Sequence, residues 1–318
     1  MGLYQNRIVV KVGTSTLTND IGQNDLRSFD RLACVLSDIQ NMGYEIILVS
    51  SGAIAVGANK LKMKTRPTSM RLKQAAAAVG QCSIMYLYDK FFNDYDKTIA
   101  QILLSADDME IEEKKENLTN TFDALLEMGI IPIVNENDSV SYTEIESEDR
   151  LFGDNDMLSA VVAILCKAQK LVILSDIDGF YDSDPRLHPN AKLIEHIVTI
   201  DDKIQSLAGG AGSRRGTGGM KTKLQAANLA TVKLRNPTGQ DLHQLIFWLF
   251  YFSKRTYLAL PWATYHRGDS MSYVNPAIKE KFESLSVDLK NNILSRNVRL
   301  NTLQDLIKVL EEIVAEEE

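Results

Sequence analysis

Cysteine is scarce: Cys34, Cys82 and Cys166 are the only three in 318 residues, and they lie far apart. They form neither a metal-ligand cluster nor a disulfide framework, which fits a reducing compartment. Positive charge is also short. The 35 Lys and Arg against 42 Asp and Glu leave a net charge of -7, so the chain as a whole has no basic footprint for nucleic acid. No apolar run approaches the roughly 18–20 residues of a membrane helix. The opening MGLYQNRIVVKVG lacks a signal-peptide pattern. Gly2 follows Met1, but Asn6 stands where myristoylation needs Ser or Thr. Apolar residues, by contrast, make up 45% of the chain and charged residues 24%. That is the mix of a globular protein with a real core, and it excludes a disordered or collagenous chain. The length suits one large domain or two ordinary ones.

The first 230 residues alternate strand and helix patterns. Arg7-Ile-Val-Val-Lys-Val is a short β-branched run ending at Gly13. From Asp25 to Met42, Leu26, Phe29, Leu32, Leu36 and Ile39 keep helical spacing. Glu45-Ile-Ile-Leu-Val-Ser, Thr98 to Leu104, Ile130 to Val134 and Leu171 to Ser175 are further apolar runs, the last preceded by a helical stretch from Asp156 to Lys167. Continuous apolar strands between helices predict an α/β fold with a parallel sheet covered on both faces. Ligands bind such sheets at the carboxyl ends of the strands.

The residues at those ends are glycines, lysines, hydroxyls and carboxylates. They are Lys11 to Ser15, Ser50 to Ala53, Asn135 to Asp138 and Ser175 to Gly179, joined by Gly153 to Asp156 near the next helix start and by a glycine-rich stretch from Gly209 to Lys223 that leads into a helix. Singly, a lysine at a strand end is a solvated terminus, Asn and Asp make turns and caps, and a glycine loop is a connector. Together they suit an anion. Glycine loops let backbone N–H groups approach phosphates, and helix N-termini favour negative charge. Lys11 and Lys223 could neutralise a transferring phosphoryl group. Asp138, Asp154 and Asp156 could bind an ammonium, orient the lysines or hold magnesium. There is no G-x-x-x-x-G-K-S/T phosphate loop at these positions and no D-F-G or H-R-D set.

Six strings carry a resemblance: KVGTSTLT (11–18), LVSSGAIAVG (48–57), NENDSV (135–140), FGDNDMLSA (152–160), LSDIDGFYDSDPR (174–186) and GTGGMKTKLQAA (216–227). In this order they resemble the amino-acid kinase family, most closely its glutamate 5-kinase branch, over about residues 7–230. The resemblance implies a three-layer α/β/α sandwich around a mainly parallel sheet. It implies ATP-dependent phosphorylation of the γ-carboxylate of L-glutamate, the first step of proline biosynthesis, with ATP carried as its Mg2+ complex and no metal held by the protein itself. It implies that Lys11 and Lys223 contact the phosphates and that Asp156 orients both lysines. Ser51, Asp138 and Asn155, with Asn135 beside them, would hold the amino acid. Gly13, Thr14, Ser175, Asp176 and the run Thr217, Gly218, Gly219, Met220, Lys221, Thr222 and Lys223 would bind the nucleotide. A cytoplasmic homo-oligomer acting on a small molecule is expected, with no nucleic-acid or membrane partner.

These roles agree with the chemistry. Phosphoryl transfer needs alignment and positive charge around the moving group. A carboxylate acceptor, with a pKa near 4, is already ionised at pH 7 and needs no general base. The four histidines, His188, His196, His243 and His266, avoid every one of the six strings and read as surface or structural residues.

The resemblance stops after Ala230. Pro237 would end a helix, and the run Leu245-Ile-Phe-Trp-Leu-Phe-Tyr-Phe252 follows. From Leu242 to Gly268 there are eight aromatics and no acidic residue, four times the density of the whole chain. The run reads as a buried strand, as an interaction patch, or as a stretch that no fold has selected. The last reading predicts that 242–268 is the least stably packed part of the chain. Asn275 to Asn297 and Leu300 to Glu317 read as amphipathic helices, the second capped by Asn301 or Thr302. Residues 1–231 are expected to form the kinase domain and 232–318 a divergent tail without the PUA β-barrel module that many relatives carry. The tail admits two other readings: a catalytically impaired relative acting as a binding protein, or a kinase of another small acidic metabolite.

Overall fold

A computed structural model describes residues 6–18, 23–140, 154–175, 177, 179–185, 187–188, 190–194, 197, 200–208, 219–233, 246–251, 273–274, 281, 285, 293, 299–300 and 302–317. The chain divides into two compact units, 1–256 and 257–318.

The first unit is built on strands β1 (Arg7–Val12), β2 (Glu45–Val49), β3 (Ile99–Leu104), β4 (Ile131–Glu136), β5 (Lys170–Ser175) and β8 (Ile246–Tyr251). They form one sheet in the order β3-β4-β2-β1-β5-β8. Every pairing in it is parallel. A parallel sheet requires crossovers, and helices supply them. The helices are α1 (Thr14–Leu17), α2 (Leu26–Asn41), α3 (Ala53–Lys60), α4 (Met70–Asn93), α5 (Glu112–Glu127), α6 (Asn155–Leu165), α7 (Asp202–Leu207) and α8 (Met220–Lys233). A small antiparallel ribbon, β6 (Phe180–Tyr181) with β7 (Leu193–Ile194), stands apart from the main sheet. The three-layer α/β arrangement expected from the sequence is the one observed.

Strand β1 lies inside the sheet, and all six of its residues are buried. Its first residue is charged, yet Arg7 is satisfied: its guanidinium donates to Glu45 at 2.7 Å, to Asp123 at 2.8 Å and to the Cys166 carbonyl at 2.9 Å. One face of the sheet packs Val9, Ile47, Val49, Val134, Leu171 and Ile173 against Leu158, Val162 and Ala163 of α6 and Ala226 and Ala230 of α8. The chain adds β2, β3 and β4 on one side of β1 and returns with β5 on the other. The carboxyl ends of β1 and β5 therefore flank the point where strand order reverses, where such sheets bind ligands.

Helices α3 and α4 meet at two glycines. A Cβ on Gly57 would stand 1.8 Å from the Ala76 carbonyl oxygen, and one on Gly80 1.8 Å from that of Ala53. The two backbones are in direct contact, and this fixes the start of α3 against the middle of α4.

Within the aromatic run, Ile246–Tyr251 is a strand. Ile246 to Tyr251 pair in parallel register with Lys170 to Ser175 and close the β5 side of the sheet. In the second unit, β9 (Tyr273–Val274) pairs with β10 (Arg299–Leu300), and α9 spans Leu303–Glu317. Ile293, Leu300, Leu306, Val309 and Ile313 form its core. The helix expected from Leu300 begins at Leu303. The Thr302 hydroxyl accepts from Asp305 N–H at 3.3 Å, and the Asp305 carboxylate accepts from Thr302 N–H at 2.8 Å. This reciprocal cap sets the start of the helix. The expected helix from Asn275 to Asn297 lies largely outside the described residues.

Candidate active site

Lys11 is the fifth residue of β1, one before the strand ends. Its ammonium lies 2.7 Å from Asp156 Oδ1, and the Lys223 ammonium lies 3.1 Å from Asp156 Oδ2. The Asp156 side chain is fully buried, and those of Lys11 and Lys223 are 9% and 11% exposed. Asp156 sits in the first turn of α6 and Lys223 in the first turn of α8. Two helix N-termini and one strand end thus converge on a single carboxylate. Thr222 adds a hydroxyl that donates to Asp156 Oδ2 at 2.8 Å and lies 2.9 Å from the Gly219 carbonyl.

Burial by itself would raise the Asp156 pKa, but Lys11 and Lys223 outweigh it and hold the group below the usual carboxylate range. One carboxylate between two ammonium groups leaves the cluster with a surplus of positive charge. Its neighbour Asp154 is pushed up, first by burial and then by the Asp156 charge. Asp154 caps α6, accepting from Asp156 N–H at 2.9 Å and Met157 N–H at 3.1 Å. The cap aims the first turn, and with it Asp156, at the end of the sheet.

Gly13 follows β1. A Cβ there would come within 3.5 Å of the Lys11 ammonium nitrogen, so the missing side chain leaves room beside that charge. Thr14 Oγ1 and Ser51 Oγ lie 3.3 Å apart, and Ser51 also donates to the Val12 carbonyl at 3.2 Å. Between strand β2 and helix α3, Gly52 has φ 98°, a left-handed conformation that side chains disfavour. A Cβ on Gly52 would also press on Thr14 at 3.0 Å. The two junctions are therefore packed together by glycine.

Of the residues expected to hold the amino acid, Asn135 and Asn155 are joined directly, Ser51 sits with Thr14, and Asp138 lies on a cavity wall that none of the other three lines. Asn155 Nδ2 donates to the Ser50 carbonyl at 3.1 Å and to Asn135 Oδ1 at 3.2 Å. Asn135 Nδ2 donates in turn to Gln81 Oε1 at 2.9 Å. Asp138, in the turn after β4, lines a cavity of about 400 Å3 with Ala53, Ala77, Gln81, Cys82 and Leu103 among others. Burial pushes its pKa up to about 6. Ser175 ends β5 and is buried. Met220 opens α8 and packs beside Phe180, Ala208 and Leu224, whereas Lys221 is exposed. Asp176, Thr217 and Gly218 lie outside the described residues.

Sequence reasoning missed Gln81 and the buried Tyr88, whose hydroxyl lies 2.9 Å from Ser50 Oγ. Both sit in the interior of α4, where a single Gln or Tyr has no local signal. The converging geometry suits the placing of a doubly charged anion beside a small polar molecule. No three His, Cys, Asp or Glu side chains gather as a cation cage among the described residues. No helix of the described residues is long and apolar enough to cross a membrane.

Residues 6–236 match the profile of the amino acid kinase family. A glutamate 5-kinase of Clostridium perfringens is 57% identical over 225 residues, covering 71% of this chain and 83% of the relative. A glutamate 5-kinase of Listeria innocua is 52% identical over 222 residues, covering 70% and 80%. Among solved structures, a carbamate kinase of Giardia lamblia bound to AMP-PNP superposes with a TM-score of 0.52 at 14% identity, covering 78% of this chain and 93% of that one. That likeness is one of fold. The profile, which spans most of the chain, and the identity to curated relatives agree: the chain belongs to the amino acid kinase family.

Proposed function

We propose that this chain is an ATP-dependent kinase that phosphorylates the γ-carboxylate of L-glutamate, giving glutamyl 5-phosphate at the entry to proline biosynthesis. The observation that carries the reading is the Lys11–Asp156–Lys223 cluster at the carboxyl edge of the sheet. The identity to glutamate 5-kinases supports the choice of acceptor.

In this reading Lys11 and Lys223 face the transferring phosphoryl group, and Asp156 holds their ammonium groups in place. Gly13, Thr14, Ser175, Asp176 and the run from Thr217 to Lys223 hold the nucleotide. Ser51, Asn135, Asp138 and Asn155 hold glutamate, with Asp138 opposite its ammonium. The γ-carboxylate oxygen attacks the terminal phosphorus, and ADP leaves. The nucleophile is already an anion, so no side chain has to remove a proton. Two fixed ammonium groups stabilise the charge that builds on the bridging and equatorial oxygens, and their positions are set before the reaction begins. Magnesium would arrive with the nucleotide, held by its phosphate oxygens, and would supply further charge neutralisation. The enzyme acts in the cytoplasm as a homo-oligomer, on a small molecule, with no nucleic-acid or membrane partner.

The test is ADP release with MgATP and a panel of acceptors: glutamate, aspartate, N-acetylglutamate, carbamate and UMP. Turnover is expected with glutamate and not with the blocked N-acetyl compound, because Asp138 would face a free ammonium. Turnover on another acceptor with glutamate inert would remove the assignment.

A further inference from the structure

The hydrogen bonds around Asn155 set the polarity of a chain of amides. The Ser50 carbonyl can only accept. It receives one Asn155 Nδ2 hydrogen, and Asn135 Oδ1 receives the other. Asn135 is left with its own Nδ2 to give, and Gln81 Oε1 accepts it. One main-chain oxygen thereby fixes three side-chain amides in sequence. At one end of the chain, Asn155 Oδ1 is buried and unpaired among the described residues. At the other end, the Gln81 NH2 group donates to nothing among the described residues.

Gln81 lines the cavity that Asp138 also lines. That wall therefore carries two carboxylates, Asp138 and Glu136, and an amide donor whose orientation is locked from behind. An α-amino acid presents the complementary pair, an ammonium and a carboxylate. Among the described residues no Lys or Arg lines this cavity, so the described wall offers the α-carboxylate neutral donors only. Of the other side-chain donors in the wall, Ser139 is turned to Asn137 at 2.7 Å, Gln101 is exposed on β3, and Asn137, just after β4, is oriented among the described residues only by that Ser139 contact. Gln81 is also the residue after Gly80, whose backbone contact with Ala53 fixes α4 against the start of α3. Its donor is held in place by a chain of three amides that ends on a main-chain oxygen.

We propose that Gln81 is a specificity-determining residue whose side-chain NH2 receives the α-carboxylate of the amino-acid substrate. The proposal rests on the reading of the chain as a glutamate kinase. It separates two jobs of one side chain: Oε1 anchors Asn135, and Nε2 meets the substrate.

Gln81→Glu divides these jobs. The glutamate side chain keeps an oxygen for Asn135 and puts an anion where the donor was. The measurement is the steady-state kinetics of the wild type and Gln81→Glu with glutamate, with its α-amide (isoglutamine) and with varied MgATP. The KM for glutamate should rise about 10–100-fold, the scale of one hydrogen bond to a charged group. The KM for MgATP should hold, and the preference for glutamate over the α-amide should narrow or reverse. An unmoved KM for glutamate would overturn the proposal. So would an equal loss on glutamate and on the α-amide, which would mark a purely structural role. Gln81→Met, of similar size and without either group, gives the same comparison should the charged variant fail to fold. A wild type inert on glutamate overturns the functional reading and this proposal together; an active wild type with an indifferent Gln81→Glu overturns this proposal alone.

Discussion

Asp156 loses its water entirely on folding, and two lysine ammonium groups and a threonine hydroxyl take the place of that water. Removing one partner of a buried ion pair commonly costs about 3–5 kcal/mol, because the other charge is left stranded. Asp156→Asn should therefore act through the lysines. Lys223→Ala is expected to lower kcat by about 10²-fold or more, the scale of one electrostatic donor. Combined with Asp156→Asn, it should cost far less than the product of the two single losses, since both remove the same positioned charge. Multiplying losses would show that Asp156 works independently of Lys223. Asp138 differs, since burial holds its pKa up at about 6. A raised carboxyl favours its protonated form in the fold, so its ionisation subtracts stability as pH climbs from about 3.9 to about 6 and adds no further loss above that. Its proposed contact with an ammonium needs the ionised form. The kcat/KM for glutamate should thus fall as pH drops below about 6, and Asp138→Asn should lower it at neutral pH and abolish that limb. A limb that survives in Asp138→Asn would assign it to another group.

The elements show which features a sequence makes legible. β1, β2, β4 and β5 were readable because each is a continuous apolar run buried on both faces. The helix expected from Asp156 begins one residue earlier, at Asn155, and Asp154 caps it. The polar strings at strand ends fall at one edge of the sheet for a topological reason: parallel strands all deliver their carboxyl ends to the same side. What stayed hidden depends on pairs of residues distant in sequence. Gln81 meets Asn135 across 54 residues, and neither residue type signals the other. The α3–α4 crossing is similar, since Gly57 and Gly80 read only as weak helix residues until the two backbones meet. Gly80→Ala should destabilise the fold by about 1–3 kcal/mol, the usual cost of overpacking. Here the obstacle is the Ala53 carbonyl and not a flexible side chain. Chemical denaturation measures this, and an unchanged midpoint would mean that the helices can separate freely. The aromatic run was ambiguous because a short apolar stretch fits a strand, a patch or neither. Over Ile246–Tyr251 it forms a strand in six-residue register with β5.

On the scale of the whole molecule, the family profile ends at residue 236, yet the first compact unit runs on to 256. The difference contains β8, so the sheet takes its last strand from sequence beyond the family profile. The domain division at residue 231 remains our proposal for where the kinase-like sequence ends. The sheet brings its glycine-bearing junctions, two lysines and their shared aspartate to one edge, beside a cavity that holds a raised carboxyl. The central claim is that this edge makes an acyl phosphate on glutamate. An acyl phosphate reacts with hydroxylamine to give a hydroxamate, whereas a phosphate ester or simple ATP hydrolysis does not. The direct measurement is hydroxamate formation by the purified full chain with MgATP, L-glutamate and hydroxylamine. The account predicts γ-glutamyl hydroxamate in step with ADP, lost in Lys223→Ala. ADP released without hydroxamate, or hydroxamate formed only from a different carboxylic acid, would contradict it.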